Sequence, residues 1–251
     1  MVIDFLKNLI FNQQKMTGRG NIQMEFAVQM HGEGCAGELK KLLADAGTVT
    51  IDPDKGSVLI ETHLPWLEIH KCIEATGRRA VLTGFGGQSA VAMVDHGNEA
   101  TNVRGVIRFC TLSNAADQKG AVVDGTIDGL AQNAYFQLNV HECGDISGGC
   151  STVGDVYDTS EILSDDNGRA TVRFVNERLI VSDLIGRSVV IAEPAGNQER
   201  RLSCGIIARS AGIFENYKKI CACDGVTLWD ERNKSIAADE ERKAKGGHAS
   251  L

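Results

Sequence analysis

Long hydrophobic runs and an excess of positive charge are both missing from this 251-residue sequence. No apolar stretch reaches the roughly 18–20 residues that a membrane-spanning helix requires, so no membrane span is expected. The 26 basic and 33 acidic residues give a formal net charge of −7, whereas surfaces that bind nucleic acid are basic. We therefore expect no nucleic-acid partner, and we expect cations or other proteins instead.

Targeting signals are likewise missing near the N-terminus. Residues 1–21 include a short apolar stretch, but they lack both a small-residue cleavage site and an Arg-rich face. Secretory signal peptides carry the first feature, and mitochondrial transit peptides carry the second. We interpret this segment as a flexible extension and expect a cytoplasmic protein.

Residues 22–86 have the pattern of a small α/β domain. Short strand-like runs alternate with two helical stretches, and Pro65 stands where the second helix begins, a position that proline favours. The resulting order is βαββαβ, which predicts a ferredoxin-like domain. The strand-like runs are 24–30, 49–51, 58–60 and 79–82, and the helical stretches are 38–46 and 65–75.

The rest of the chain divides into two further regions. Residues 87–209 hold short alternating runs separated by turn residues, a pattern typical of an all-β sandwich or barrel. Residues 210–251 end in a polar stretch rich in Lys and Glu, which predicts a flexible C-terminal tail. The sequence thus predicts an α+β domain, then an all-β domain, then a tail.

A C-x-C motif, Cys221-Ala222-Cys223, carries the clearest chemistry in the sequence. Soft thiolate ligands select soft metals such as Cu(I), and two thiolates separated by one residue can hold such an ion. The same pair can form a strained and therefore oxidising disulfide, which could be passed to a partner. The motif taken alone leaves open metal transfer, disulfide transfer and two incidental cysteines.

The segments around this motif resemble one known family. Residues 204–212 read CGIIARSAG and residues 218–232 read KKICACDGVTLWDER. Both resemble the copper chaperones of Cu/Zn superoxide dismutase, and the resemblance covers residues 22–233. It implies a heavy-metal-associated ferredoxin-like domain, a Greek-key sandwich like that of the dismutase, and a C-x-C tail, in that order.

The resemblance also implies a metallochaperone and not an enzyme. Cu(I) is then the cargo, no bound zinc is expected, and Cu/Zn superoxide dismutase is the partner in a heterodimer. A homodimer through the same surface competes with that heterodimer. The mitochondrial intermembrane space becomes an additional compartment beside the cytoplasm.

The dismutase-like region has lost the positions at which the resemblance implies copper ligands. The segment Tyr135–Asp145 is similar to a dismutase strand with an H-x-H pair, whose two side chains share one face of the strand. Here the first position is Asn139, so only His141 remains, and Val156 and Ile191 replace two further histidines. Because ligand number sets metal affinity, we expect no dismutase activity and interpret His141 as an ordinary strand histidine.

The first domain departs from the M-x-C-x-x-C motif of its family. Its loop reads Met30-His-Gly-Glu-Gly-Cys35, so Gly32 stands at the first cysteine position and Cys35 stands alone. A single thiolate is a weak Cu(I) site, although His31 could supply a second ligand. We therefore expect either a degenerate copper site or a scaffold domain. A helix N-terminus would lower the pKa of Cys35.

The resemblance assigns two further features to the dismutase-like region. Cys150 and Cys204 match the intramolecular disulfide of the family, and Arg201 matches an arginine near the dismutase copper. Several stretches resemble the dismutase dimer interface, and we expect them to bind the partner. Their residues are Gly144, Asp145, Gly149, Ile185, Gly186, Arg187, Gly205, Ile206 and Ile207.

Two functional hypotheses of different classes follow. In the first, the sandwich docks on Cu/Zn superoxide dismutase and the tail delivers Cu(I), and also a disulfide, through Cys221 and Cys223. In the second, the protein is a copper-independent adaptor or thiol oxidoreductase for dismutase maturation. The incomplete motif around Cys35 favours the second hypothesis, and the C-x-C tail favours the first.

Overall fold

The structure of the protein is a computed structural model that describes residues 20–97, 102–112, 120–194, 200–216 and Trp229. The predictions for the N-terminal extension before Gly20 and for Cys221 and Cys223 lie outside these residues. The described part of the chain is mostly β, as predicted, with few helices. No helix among these residues is both long and apolar enough to cross a membrane.

The first unit places two helices against a four-stranded antiparallel sheet. Its elements, in chain order, are β1 (Ile22–Val28), α1 (Glu33–Leu43), β2 (Thr48–Asp52), β3 (Ser57–Thr62), α2 (Trp66–Glu74) and β4 (Ala80–Phe85). The strands are ordered β2-β3-β1-β4. The order of elements is therefore βαββαβ, with β4 at one edge of the sheet.

Apolar spacing explains how this unit packs. Alternate residues of β1 are buried on one face, as a strand with a period of two requires. Leu39 and Leu43 of α1 lie one turn apart, as do Ile69 and Ile73 of α2, and all four are fully buried. They pack against the β1 side chains in one core. The α1 helix starts five residues earlier than predicted, because Gly34 and Gly37 weaken the helical pattern without preventing the helix.

The second unit is a barrel-like sheet that contains nine strands among the described residues. Its strands are β5 (Ser89–Val94), β6 (His96–Gly97), β7 (Arg104–Thr111), β8 (Ala121–Asp128), β9 (Tyr135–His141), β10 (Val156–Leu163), β11 (Ala170–Asn176), β12 (Ser188–Glu193) and β13 (Arg200–Arg209). A short helix, α3 (Val181–Leu184), precedes β12. The order is β10-β9-β12-β13-β5-β7-β8-β11, and β6 also pairs with β13.

The edge strand β10 was missed by the sequence pattern. Only Asp158 and Ile162 of its eight residues are buried, so its apolar residues do not alternate regularly. It forms a strand because it pairs along β9, from Val156 opposite His141 to Leu163 opposite Tyr135. The remaining strands enclose a core that includes Phe109, Phe136 and Ile191.

The first unit packs against the outer face of the β7–β8 hairpin. Cys110 and Val122 are fully buried there and belong to the same apolar cluster as the core of the first unit. The backbone N–H of Trp66 donates a hydrogen bond of 3.3 Å to the Asp124 carboxylate, which also pairs with Arg173 at 2.6 Å. These contacts join the two units through both apolar and charged groups.

Candidate functional site

Of the four positions at which the resemblance implies copper ligands, three hold side chains other than histidine. Asn139 is buried, and its amide oxygen accepts a hydrogen bond from the Thr159 hydroxyl. Ile191 is fully buried in the barrel core, and Val156 is 48% exposed on the edge strand. The four positions therefore present one imidazole, that of His141, and no second ligand of the kind copper prefers.

His141 is hydrogen-bonded through one ring nitrogen only, since its buried Nε2 has no hydrogen-bond partner among the described residues. Its side chain is fully buried, and Nδ1 lies 2.9 Å from the carbonyl oxygen of Gly154. A carbonyl only accepts, so Nδ1 carries the proton and donates it. Within the described ranges, no three His, Cys, Asp or Glu side chains are grouped so that they could hold a metal ion.

Cys150 and Cys204 form a disulfide, as the resemblance implied. Cys150 lies in a short 3₁₀ turn, Gly149–Ser151, and Cys204 lies on β13, with their Cα atoms 5.7 Å apart. The Arg201 guanidinium donates a hydrogen bond of 2.6 Å to the carbonyl oxygen of Cys150. The turn is therefore fastened to β13 both covalently and by a charge-assisted hydrogen bond.

Replacing Cys150 with serine is expected to lower the free energy of unfolding by about 4 kcal/mol, because the disulfide closes a loop of 54 residues. Urea unfolding under non-reducing conditions measures this change. Cys143→Ser is the matched control, since Cys143 is a free and exposed cysteine. A Cys150→Ser variant that unfolds at the wild-type urea concentration would contradict the prediction.

A second candidate site is the surface at which the resemblance places the partner interface, and we call it the docking surface. It comprises Gly144, Asp145, Gly149, Ile185, Gly186, Arg187 and Ile206. Ile185 and Ile206 are 45% and 42% exposed, unusually high values for isoleucine. A Cβ atom on Gly144 would lie 2.4 Å from the Gly186 carbonyl oxygen and 3.3 Å from the Ile206 side chain. The glycines therefore let three chain segments approach closely and form a shallow surface.

Polar contacts hold the edge of the docking surface in place. Arg187 donates hydrogen bonds to the carbonyl oxygens of Asp183 and Glu142, and its guanidinium lies 3.9 Å from the ring centroid of Tyr157. The Ser147 hydroxyl and amide donate to the Asp145 carboxylate, which lowers the pKa of Asp145. These side chains are ordered before any partner arrives, which reduces the entropy lost on binding.

The structure corrects two members of the predicted interface and adds two neighbours. Gly205 is buried, and a Cβ atom there would lie 1.8 Å from the Met93 carbonyl oxygen. Ile207 is fully buried in the barrel core, because successive residues of β13 face opposite sides of the sheet. Its side chain cannot contact a partner. Met93 and Tyr157, which are 51% and 41% exposed, border the docking surface and were not predicted. Met93 could have been found from the strand alternation, since its neighbours Ala92 and Val94 are buried.

The first unit places Cys35 beside a cation. Cys35 is the third residue of α1 and is half-buried, and Gly32, the residue just before the helix, has a φ of 97°. The predicted decrease in the pKa of Cys35 is found, but its largest cause is a hydrogen bond from the Arg78 side chain, followed by one from the His31 backbone. Arg78 also pairs with Glu38 at 2.6 Å. The exposed His31 side chain and Cys35 do not form a group with a third ligand among the described residues.

Alkylation of Cys35 should therefore begin at a lower pH than alkylation of an ordinary thiol, because a lowered pKa leaves more thiolate at a given pH. Arg78→Met is expected to shift the pH profile of the iodoacetamide reaction to higher pH, as measured by mass spectrometry of the Cys35 peptide. Lys40→Met, an exposed cation elsewhere on α1, serves as the control. Identical pH profiles for Arg78→Met and the wild type would refute the assignment.

Comparisons with known proteins identify the family. No protein-family model matches the chain. It is 36% identical to the copper chaperone for superoxide dismutase of Rattus norvegicus over 255 residues, which cover 85% of this chain and 90% of that protein. It is 36% identical to the Homo sapiens protein of the same name, covering 88% of this chain and 93% of the other.

The similarity extends beyond mammals. The superoxide dismutase 1 copper chaperone of Kluyveromyces lactis is 31% identical over 240 residues, which cover 88% of this chain and 96% of that protein. All these relatives are named as copper chaperones and not as enzymes. At these identities and coverages, the chain belongs to the copper chaperone for superoxide dismutase family.

Proposed function

We propose that this protein docks on Cu/Zn superoxide dismutase through the docking surface and delivers Cu(I) to it through Cys221 and Cys223. One observation carries the proposal: a barrel whose ligand positions hold Asn139 and Ile191 nevertheless exposes Ile185 and Ile206 on a pre-ordered surface. Contiguous exposed apolar side chains are typical of protein-binding sites. The relatives' names supply the chemical nature of the partner.

The chemistry of the cargo favours the C-x-C pair over the first unit. Two thiolates at Cys221 and Cys223 match the preference of Cu(I) for soft ligands, whereas Cys35 shares its surroundings with the cationic Arg78. A cation beside the thiolate opposes the approach of a second cation. The tail therefore carries the copper, and the first unit acts chiefly as a scaffold. Zinc is not part of the cargo.

The fold and the domain boundaries belong to the same proposal. The order βαββαβ and the sheet order β2-β3-β1-β4 support a ferredoxin-like, heavy-metal-associated domain at 22–86. The non-sequential strand order supports a Greek-key, dismutase-like sandwich at 87–209. Residues 1–21 are then an extension and 210–251 the tail. The protein works in the cytoplasm, and also in the mitochondrial intermembrane space.

The assembly is proposed as a heterodimer with one dismutase subunit. A surface that pairs with its own copy in a dismutase can pair with the related surface of this chain. The same surface supports a homodimer of this chain when no dismutase is present. Binding of immature dismutase and self-association should therefore compete for Ile185 and Ile206.

A copper-independent thiol oxidoreductase is the second candidate, and the incomplete copper motif around Cys35 favours it. In that reaction a disulfide between Cys221 and Cys223 would accept two electrons from a dithiol of the partner. The partner's cysteines would become a disulfide, and the two tail cysteines would become thiols. This reaction needs no Cu(I), so a copper titration distinguishes the two candidates.

An activation assay tests the proposed function. The reduced, Cu(I)-loaded chain is mixed with immature, zinc-loaded dismutase in the presence of an excess of a Cu(I) chelator. We expect superoxide dismutase activity to appear in the mixture and to be absent from the chain alone. A mixture that stays inactive, although the two proteins bind each other, would refute copper delivery.

A further inference from the structure

The segment that leads from the barrel to the C-x-C motif is attached to the first unit, not to the barrel alone. We call residues 210–216 the exit segment. Phe85, the last residue of β4, donates from its N–H to the Ala211 carbonyl at 3.4 Å and accepts from the Ile213 N–H at 3.1 Å. These bonds form a parallel bridge between Phe85 and Gly212. The exit segment thus pairs with the edge strand of the first unit.

Glu25 supplies the strongest contact of this attachment. Its side chain points from the middle of β1, and the residue is only 8% exposed. One carboxylate oxygen accepts a hydrogen bond of 2.8 Å from the Phe214 N–H, and the other accepts one of 2.9 Å from the Ser57 hydroxyl. A hydrogen bond to a carboxylate in a poorly solvated position is stronger than one between neutral groups. Glu25 therefore fixes the backbone of residue 214.

The backbone of the exit segment turns so that the Phe214 N–H reaches the Glu25 carboxylate. Phe214 has a φ of 61°, a conformation that a bulky residue adopts only when its surroundings require it. The Glu215 carboxylate closes the turn by accepting from the Gly212 N–H at 2.8 Å. A Cβ atom on Gly84 would lie 2.4 Å from the Gly212 carbonyl oxygen, so the two backbones are in close contact. The turn is therefore held by the Glu215 carboxylate within the exit segment and by close contact with Gly84 of β4.

The exit segment also borders the docking surface. Ile185, a central residue of that surface, lines the same cleft as Gly212 and Glu215. The exit segment therefore turns at the edge of the docking surface. Six residues lie between Phe214 and Cys221, so the seven Cα-to-Cα steps can span at most about 25 Å when fully extended. The direction taken at Phe214 limits where the two thiolates can go.

From these contacts we propose that Glu25 is a positioning residue for copper delivery: it anchors the exit segment so that the tail leaves the body of the protein beside the docking surface. The inference rests on the proposed function and gives the first unit a task that requires no metal ligand. The anchor explains how the first unit can assist copper delivery although Cys35 is the single cysteine of its motif. Loss of the anchor should leave copper binding and docking intact and slow only the transfer.

The test compares Glu25→Ala with Glu25→Gln, and Glu161→Ala on the exposed face of β10 is the control. Amide hydrogen exchange of Phe214 is expected to accelerate at least about tenfold in Glu25→Ala, while the amides of β9 keep their rates. Glu25→Gln should restore protection, because its amide oxygen can accept from Phe214 and its NH₂ group can donate to the Ser57 hydroxyl. Gly84→Ala, which displaces the Gly212 carbonyl, should resemble Glu25→Ala.

The second readout is the rate at which Cu(I) passes to immature dismutase. We expect Glu25→Ala and Gly84→Ala to transfer about fivefold more slowly, with unchanged Cu(I) stoichiometry and unchanged docking affinity. A Phe214 amide that exchanges freely in the wild type, or a transfer rate unaffected by Glu25→Ala, would overturn the inference. Hydrogen exchange requires no copper, so it tests the anchor even if the wild type transfers none.

Discussion

Replacing both Cys221 and Cys223 with serine is expected to abolish activation of immature dismutase while leaving the affinity for it unchanged. The hydroxyl group of serine is a poor ligand for Cu(I), so no soft donor pair remains in the tail. The docking surface lies on the barrel and is not altered by this change. Activity assays of the mixture measure activation, and calorimetry or size-exclusion chromatography measures binding.

Single-cysteine controls separate this effect from a general loss of thiols. Cys143→Ser removes a free, exposed cysteine of the barrel, and Cys35→Ser removes the cysteine of the first unit. Both variants should retain most of the activation. If the double variant Cys221→Ser, Cys223→Ser activates dismutase as well as the wild type does, then copper does not travel through the tail.

Introducing a charge at Ile206 should weaken the complex with dismutase about 100-fold. Ile206 is 42% exposed and packs beside Gly144, so Ile206→Asp does not disturb the barrel core. In a complex the same carboxylate would be buried against an apolar surface without a partner, and burying an unpaired charge costs several kcal/mol. Isothermal titration calorimetry with immature dismutase measures the change in affinity.

Leu163→Asp provides the matched control for this substitution. Leu163 is 52% exposed and lies at the far end of β10, opposite Tyr135, away from the docking surface. The control should bind dismutase with wild-type affinity and have the same melting temperature as Ile206→Asp. Equal affinities for the two variants would show that the partner binds elsewhere.

Much of the fold could be predicted from the sequence, because most strands bury one face. Within 87–209 the sequence predicts strands at 121–127 and 135–141, and these correspond closely to β8 and β9. The β10 strand could not be predicted, because it is stabilised by hydrogen bonds to β9 and not by burial of its own side chains. The short helix α3 has too few residues to show a period.

The candidate site was predictable only where it depended on residue identity. The missing imidazoles at Asn139 and Ile191 are visible in the sequence, and so is the C-x-C pair. Contacts between distant segments are not visible in the sequence. The Arg78–Cys35 hydrogen bond joins residues 43 positions apart, and the Phe214–Glu25 hydrogen bond joins residues 189 positions apart. Such contacts depend on the tertiary fold, and no local pattern encodes them.

The burial of Ile207 is another feature that depends on the tertiary fold and could not be predicted from the sequence. Ile206 and Ile207 are adjacent and identical in chemistry, so composition gives no reason to separate them. The pleat of β13 sends one toward the solvent and the other into the core. The position of the strand relative to the barrel decides which isoleucine can meet a partner.

The Cu(I) stoichiometry of the reduced protein is the most direct measurement of where the copper resides. It should be determined side by side for the wild type, the Cys35→Ser variant and the double variant at Cys221 and Cys223. We expect the wild type and Cys35→Ser to retain tightly bound Cu(I) and the double variant to lose it. We propose that the barrel docks and the tail carries the metal. Copper that stays bound in the double variant would contradict this proposal, and so would copper that changes oxidation state at His141 in the barrel.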